Sequence, residues 1–345
     1  MDAAPPTIAV SAALHVLDAR PVRVGGLAAV RYRMRRDHAY AGDPALDAAL
    51  STFGAVVIPP ADGRSGAAAV TLLNGITRGL DRSLPAATAL ARAGIAAVLI
   101  DTPLGGERRP TAGPPQADLA DLARRGVALD SAMARRLFDG VAADLGAVLA
   151  WAEAEHGVGA ERRALFGVSF GAALSSLAFA RDGLGDRLFG AIGHPDLPAL
   201  SRGLVDTFTR FSGLPSALVS TALRLGPVAE AAARRAGGEA AVGAVRFARL
   251  LAALGAGGRA VDGLNAVDFA PTVGADRPVH LLAGALDPVA PPAAMERAAS
   301  AFATSCVEVL PAMGHGWYPG APPPGAASFG AASGAWLVRH LADWR

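Results

Sequence analysis

Leu165-Phe166-Gly167-Val168-Ser169-Phe170-Gly171 is the stretch that decides how this chain is read. A short apolar run leads into Gly-x-Ser-x-Gly. A small-residue segment, Ala172-Ala173-Leu174-Ser175-Ser176-Leu177, then opens a helix. The pattern predicts a strand, a sharp turn and a helix with a serine at the tip. A serine held in a strained turn needs small neighbours two positions away, and Gly167 and Gly171 supply them. The helix start would aim backbone N–H groups at an oxyanion formed beside the serine. In a chain with 41 glycines the pentapeptide alone is weak, so its surroundings must carry the reading.

Those surroundings alternate. Ala55–Ile58, Ala69–Leu73, Ile95–Ile100, Leu188–Ile192, Val279–Ala283 and Cys306–Leu310 read as short apolar strands. Helical patterns fall between them: Ser83–Ala93, most of Asp118–Glu155, Ala293–Ala303 and a last helix ending near Trp344. Strands separated by helices imply βαβ units and a mainly parallel sheet. Strands this apolar need cover on both faces. The first 50 or so residues differ, with alternating runs over Thr7–Val16 and Val22–Tyr32 that predict antiparallel strands at one edge. The segment 197–263 lacks convincing strands, is rich in apolar residues and is punctuated by Pro215 and Pro227. It is expected to be a helical cap between two core parts, 1–196 and 264–345.

Composition narrows the function. The 345 residues suffice for one large α/β domain with an insertion. Only 18% of them are charged and the net charge is +2, so neither disorder nor nucleic-acid binding is expected. The basic run Arg31-Tyr32-Arg33-Met34-Arg35-Arg36 reads as a solvated strand edge or loop. The chain has no lysine, which removes P-loop, Schiff-base and Ser-Lys chemistry. Cys306 is the single cysteine and is expected to be a buried structural thiol, with neither a disulfide nor a metal site. No signal peptide, membrane span or cofactor is expected, and a cytoplasmic enzyme is the simplest reading.

An elbow serine is inert without a base and an orienting acid, expected here in the order Ser, acid, His. His315, in Met313-Gly314-His315-Gly316-Trp317 just past the last strand, is the candidate base. His340 falls in a helix, and His280 and His194 fall within or at the ends of strands. Asp287 directly follows the Val279–Ala283 strand and is the candidate acid. Asp196 is the runner-up; Asp262, Asp268 and Asp276 are weaker because no strand immediately precedes them. One oxyanion donor should be the N–H of Phe170, and the second should come from the turn Asn74-Gly75-Ile76-Thr77.

With these residues in place the chain resembles the α/β-hydrolase superfamily. The landmarks are Asn74-Gly75-Ile76, Asp101-Thr102-Pro103-Leu104-Gly105-Gly106-Glu107-Arg108, Gly167–Gly171, Gly284–Pro288 and Gly314-His315-Gly316. They run in the family's order from about residue 55 to the end. The resemblance implies the N–H of Ile76 as the second oxyanion donor and the helical insertion as the cap. Asn74 stands where the family usually has histidine, and Glu107-Arg108 departs from the usual end of the Gly-rich loop. Asn74, Gly75, Phe208, Phe211 and Trp317 are candidate substrate contacts. The expected activity is cleavage of a small-molecule carboxylic ester or thioester through an acyl-enzyme on Ser169. Acyl transfer by the same residues, or a non-catalytic binding protein on this fold, are the alternatives.

Overall fold

Ala96-Ala97-Val98-Leu99-Ile100 is buried at every position, as an apolar strand covered on both faces must be. In the computed structural model this strand lies in a nine-stranded sheet. The structure describes residues 13–63, 67–75, 79–111, 115–211, 226–315 and 328–344.

The chain enters through an antiparallel pair, β1 (His15–Val24) and β2 (Leu27–Arg35). Helix α1 (Pro44–Ser51) is capped by the Asp43 side chain, which accepts from the Leu46 amide, and leads into β3 (Thr52–Ile58). Next come β4 (Ala68–Leu73), α2 (Leu84–Arg92), β5 (Ala96–Ile100), α3 (Pro115–Arg124) and α4 (Ser131–His156). Strand β6 (Arg162–Val168), α5 (Phe170–Ala180) and β7 (Arg187–Ala191) follow. Among the described residues the α-helices α6 (Leu197–Phe211) and α7 (Pro227–Ala256) lie between β7 and β8 (Val279–Gly284). The chain ends through α8 (Pro292–Ala299), β9 (Ser305–Leu310) and α9 (Phe329–His340).

The strand order is β1-β2-β3-β5-β4-β6-β7-β8-β9. β1, β2, β3 and β5 pair antiparallel in succession, and every pair from β5 to β9 is parallel. Alternation along each strand splits the core. Val57, Ala69, Leu73, Val98 and Leu165 face α4 and α5. Their neighbours Val56, Val70, Leu72, Leu99 and Phe166 face α2 and α9. Helices therefore cover both faces. α7 packs on α3 and α6, and its geometry breaks at Gly237 and Gly238.

Three expectations change. The first described strand spans His15–Val24, and the expected run Thr7–Val16 lies mostly outside the described residues. The run Arg31–Arg36 is an interior strand of the sheet, not an edge. Arg33 and Arg35 are exposed, whereas Arg36 is buried against Asp144, because Tyr32 and Met34 turn inward and draw the strand's end into the core. Cys306 is exposed, since β9 is the last strand and has no neighbour on its outer side. Its Sγ lies 3.0 Å from His280 Nδ1. No helix among the described residues is long and apolar enough to cross a membrane.

Candidate active site

Ser169 sits between β6 and α5 with φ 55° and ψ −120°. A non-glycine residue adopts such a conformation only where its surroundings enforce it. Here the Ser169 amide donates to Ala191 O at 2.9 Å, and the turn is packed so tightly that side chains are excluded around it. A Cβ on Gly167 would come 2.2 Å from Gly171 O, and one on Gly171 would come 2.4 Å from Asn74 O. Among the described residues only Leu104, Ser169 and Ile192 combine a side chain with positive φ. They follow β5, β6 and β7 in turn, so the strain collects at the carboxyl edge of the sheet's centre.

Met313 and His315 are brought over the same edge by a turn after β9. The main chain there presses on Gly284, where a Cβ would meet Met313 O at 2.4 Å. This contact places His315 Nε2 2.8 Å from Ser169 Oγ. The other ring nitrogen, Nδ1, lies 3.1 and 3.0 Å from Asp287 Oδ1 and Oδ2. Asp287 is buried, and its Oδ1 also accepts from the amides of Val289 (2.8 Å) and Ala290 (3.0 Å). Two fixed donors thus orient the carboxylate before it meets the ring. The three side chains expected from the sequence are brought together in one hydrogen-bonded line.

Asp196 does not join them. Its Oδ1 accepts from the Ala199 amide at 2.9 Å and caps the start of α6. Asp268 accepts from Asn265 Nδ2 at 3.0 Å. His194 is buried, accepts from the Asp196 amide through Nδ1, and burial lowers its pKa to about 4. His280 stacks on Phe189 at 4.9 Å, and burial also lowers its pKa to about 4. Neither of these rings takes part in the Ser169 line.

Phe170 opens α5, so its N–H is among the first amides of the helix, which lack an intrahelical acceptor. Gly75 lies against Ser169: a Cβ there would stand 3.3 Å from Ser169 Cβ. Asn74 is buried, and both ends of its amide are engaged. Nδ2 donates to Gly79 O at 2.8 Å, and Oδ1 accepts from Ser83 Oγ at 2.5 Å. This side chain ties the loop after β4 to the start of α2 rather than reaching outward. Ile76 and Trp317 lie outside the described residues. The backbone of Phe208 and Phe211 belongs to α6, and their side chains lie outside the described part.

Sequence reasoning missed what lies behind the Gly-rich loop. Asp101 Oδ2 accepts from the amides of Gly54 and Glu107, both at 2.9 Å, and burial raises its carboxyl to about 6. Glu107 pairs with Arg31 and Arg33. Arg108 is fully buried against Asp144. The departures at 107–108 are therefore anchors that hold this loop to β2 and α4. A charge pair inside a loop otherwise read as glycine-rich was the available signal. Thr102 Oγ1, next in the loop, donates to Gly75 O at 3.3 Å and so links the anchored loop to the neighbour of Ser169.

No protein-family model and no curated protein matches the sequence. Solved structures do match. An acetyl xylan esterase from Thermoanaerobacterium sp. JW/SL YS485 superposes with TM-score 0.52 at 16% identity, covering 94% of this chain and 87% of that one. The chain has the α/β-hydrolase fold. A cold-adapted esterase from an Arctic intertidal metagenomic library gives TM-score 0.51 at 16% identity over 94% of this chain and 97% of its own. The Pyrococcus horikoshii acylaminoacyl peptidase gives 0.53 at 11% identity over 95% of this chain and 42% of its own. At these identities the likeness speaks for the hydrolase fold alone.

Proposed function

We propose that the protein is a serine hydrolase that cleaves a carboxylic ester or thioester through an acyl-enzyme on Ser169. The observation that carries this reading is the line Ser169 Oγ, His315, Asp287, with contacts of 2.8 and 3.0–3.1 Å, ending on a serine in strained backbone. The solved structures that share the fold include proteins named as esterases, which agrees with it.

In this reading Ser169 Oγ attacks the carbonyl carbon while His315 Nε2 takes its proton. Asp287 holds the ring with Nδ1 protonated and stabilises the imidazolium. The N–H groups of Phe170 and Ile76 receive the developing oxyanion. The tetrahedral intermediate expels the alcohol or thiol, which leaves with the proton from His315. Water, deprotonated by the same ring, then releases the acid. Residues 197–263 act as a cap over a core formed by 1–196 and 264–345, because this insertion leaves and re-enters at β7 and β8, the strands that flank the site. Ligands of open α/β sheets bind at the carboxyl ends of such strands.

Turnover of p-nitrophenyl esters by wild type and by Ser169→Ala tests the proposal. Wild-type cleavage abolished in the variant is expected. Equal rates in the two proteins would remove Ser169 from the chemistry.

A further inference from the structure

At the start of α5 lies a cavity of about 40 Å³ whose lining, among the described residues, is apolar throughout. Phe170, the residue after Ser169, forms one wall, with its ring packed edge-on to Phe138 at 5.5 Å. Pro103 and Leu104 form another; they follow Thr102, which holds the Gly75 carbonyl. Met133 and Ala134 of α4 and Leu122 of α3 close the floor. The last wall is α7, through Phe247, Leu250, Leu251 and Leu254. These four recur at helical spacing along one stripe.

Leu104 adds an independent observation. It is buried with φ 61°, a conformation that glycine adopts freely and leucine does not. Turns in that conformation are held where the surroundings over-determine them, and such strain clusters at ligand sites. Its amide donates to Arg108 O at 3.2 Å, inside the loop anchored through Asp144. A glycine would relieve the strain but would leave the wall open.

Resting on the hydrolase reading, we infer that this cavity receives the acyl chain of the substrate, and that the acyl group is short, straight and aliphatic. A lining without a polar partner rejects hydroxylated or charged acyl groups, since each buried polar atom would go unpaired. It also stays dry, because a water molecule needs polar partners. The size sets the length. One water needs about 10–15 Å³ of such water-accessible space, so about 40 Å³ holds three water-sized groups, a tail of about three carbons beyond the acetyl group. The preferred acyl groups are therefore butyryl and pentanoyl. Phe247, Leu250, Leu251 and Leu254 of α7 set the limit.

The test is a p-nitrophenyl series from acetate to octanoate, read as kcat/KM on wild type, Leu251→Ala and Ala134→Leu. Circular dichroism and thermal melting confirm that each variant is folded. Wild type should peak at butyrate or pentanoate, gaining about four-fold per methylene up to the peak, which is the burial value of one CH₂. Leu251→Ala should move the peak to longer chains, and Ala134→Leu should move it to shorter ones. A parallel series of alkyl acetates should show no such movement. Folded, ester-cleaving variants with an unmoved acyl profile would overturn the pocket assignment and leave the hydrolase reading standing. Movement in the alcohol series instead of the acyl series would overturn it too. A wild type that cleaves no ester would overturn both.

Discussion

Two of the chains of charged hydrogen bonds in this molecule differ at one end: the first is sealed, the second open. Asp144 on α4 accepts from Arg36 Nε at 2.5 Å, Arg108 at 2.5 Å and Tyr40 Oη at 2.7 Å. All four groups are buried, and the Arg108 guanidinium also lies 4.3 Å over the Phe53 ring. Asp287, His315 and Ser169 form the other chain. Its acid is as deeply buried as Asp144, yet the His315 side chain keeps 19% of its surface exposed. Both carboxylates are oriented by several donors. The difference lies at the far end, where Asp144 meets two cations that cannot lose their protons and Asp287 meets an imidazole that can exchange one. A sealed chain fixes geometry, whereas a chain open at a strained serine can do chemistry.

Breaking each chain should therefore have opposite effects. The largest effect is expected at the open one: His315→Ala and Asp287→Asn should each lower kcat by roughly 10³-fold or more while leaving the melting temperature near wild type. Steady-state kinetics alongside calorimetry check this. Loss of stability without loss of turnover would reverse the roles of the two clusters.

In the sealed chain, Asp144→Ala strands two buried guanidinium groups. Breaking a buried pair in this way costs about 3–5 kcal/mol. Denaturant unfolding should show that loss, while kcat of the folded fraction changes only a few-fold. A variant as stable as wild type would show that the cluster does not hold the Gly-rich loop.

Asp101 sharpens the contrast, because it is buried against backbone amides and, among the described residues, no cation is bonded to it. Burial raises its carboxyl from 3.8 to about 6. Between those values the native state keeps the proton and the unfolded chain does not, so this group favours folding at low pH. The contribution is lost as pH rises through about 6. Asp101→Asn keeps an acceptor and cannot ionise, so it should gain on wild type by roughly 2–3 kcal/mol between about pH 4 and about pH 7. His194 titrates in the opposite sense, since its lowered pKa makes stability rise as pH rises from about 4 to 6.5, but it is common to both proteins. A difference that does not vary with pH would contradict the raised pKa.

The smallest effect is at Asp196. Removing this helix cap as Asp196→Ala should cost about 1 kcal/mol and leave kcat within a few-fold. A loss as large as that of Asp287→Asn would move the acid to β7.

Much of this was legible in the sequence, for physical reasons that can be named. Strands β4 to β8 are short apolar runs between breakers, as strands covered by helices on both faces must be. Ser169, Asp287 and His315 each follow a strand, and tight turns there require glycine or proline beside them. The sealed cluster was not legible: Arg36, Arg108 and Asp144 are 36 to 108 positions apart, and nothing local distinguishes a buried arginine from a solvated one. Cys306 was misjudged because burial at an edge strand depends on what the neighbouring elements leave uncovered. The cavity walls were missed for a similar reason. The stripe Phe247, Leu250, Leu251 and Leu254 was readable as an apolar helix face, but only the packing of α7 on α3 shows where that face points.

Intact-protein mass spectrometry after exposure to a fluorophosphonate tests the central claim most directly, with wild type and Ser169→Ala compared at matched melting temperature. Wild type should gain a single phosphonyl adduct that maps to Ser169, and the variant should gain none. An adduct on the variant, or a folded wild type that takes no label, would contradict the account.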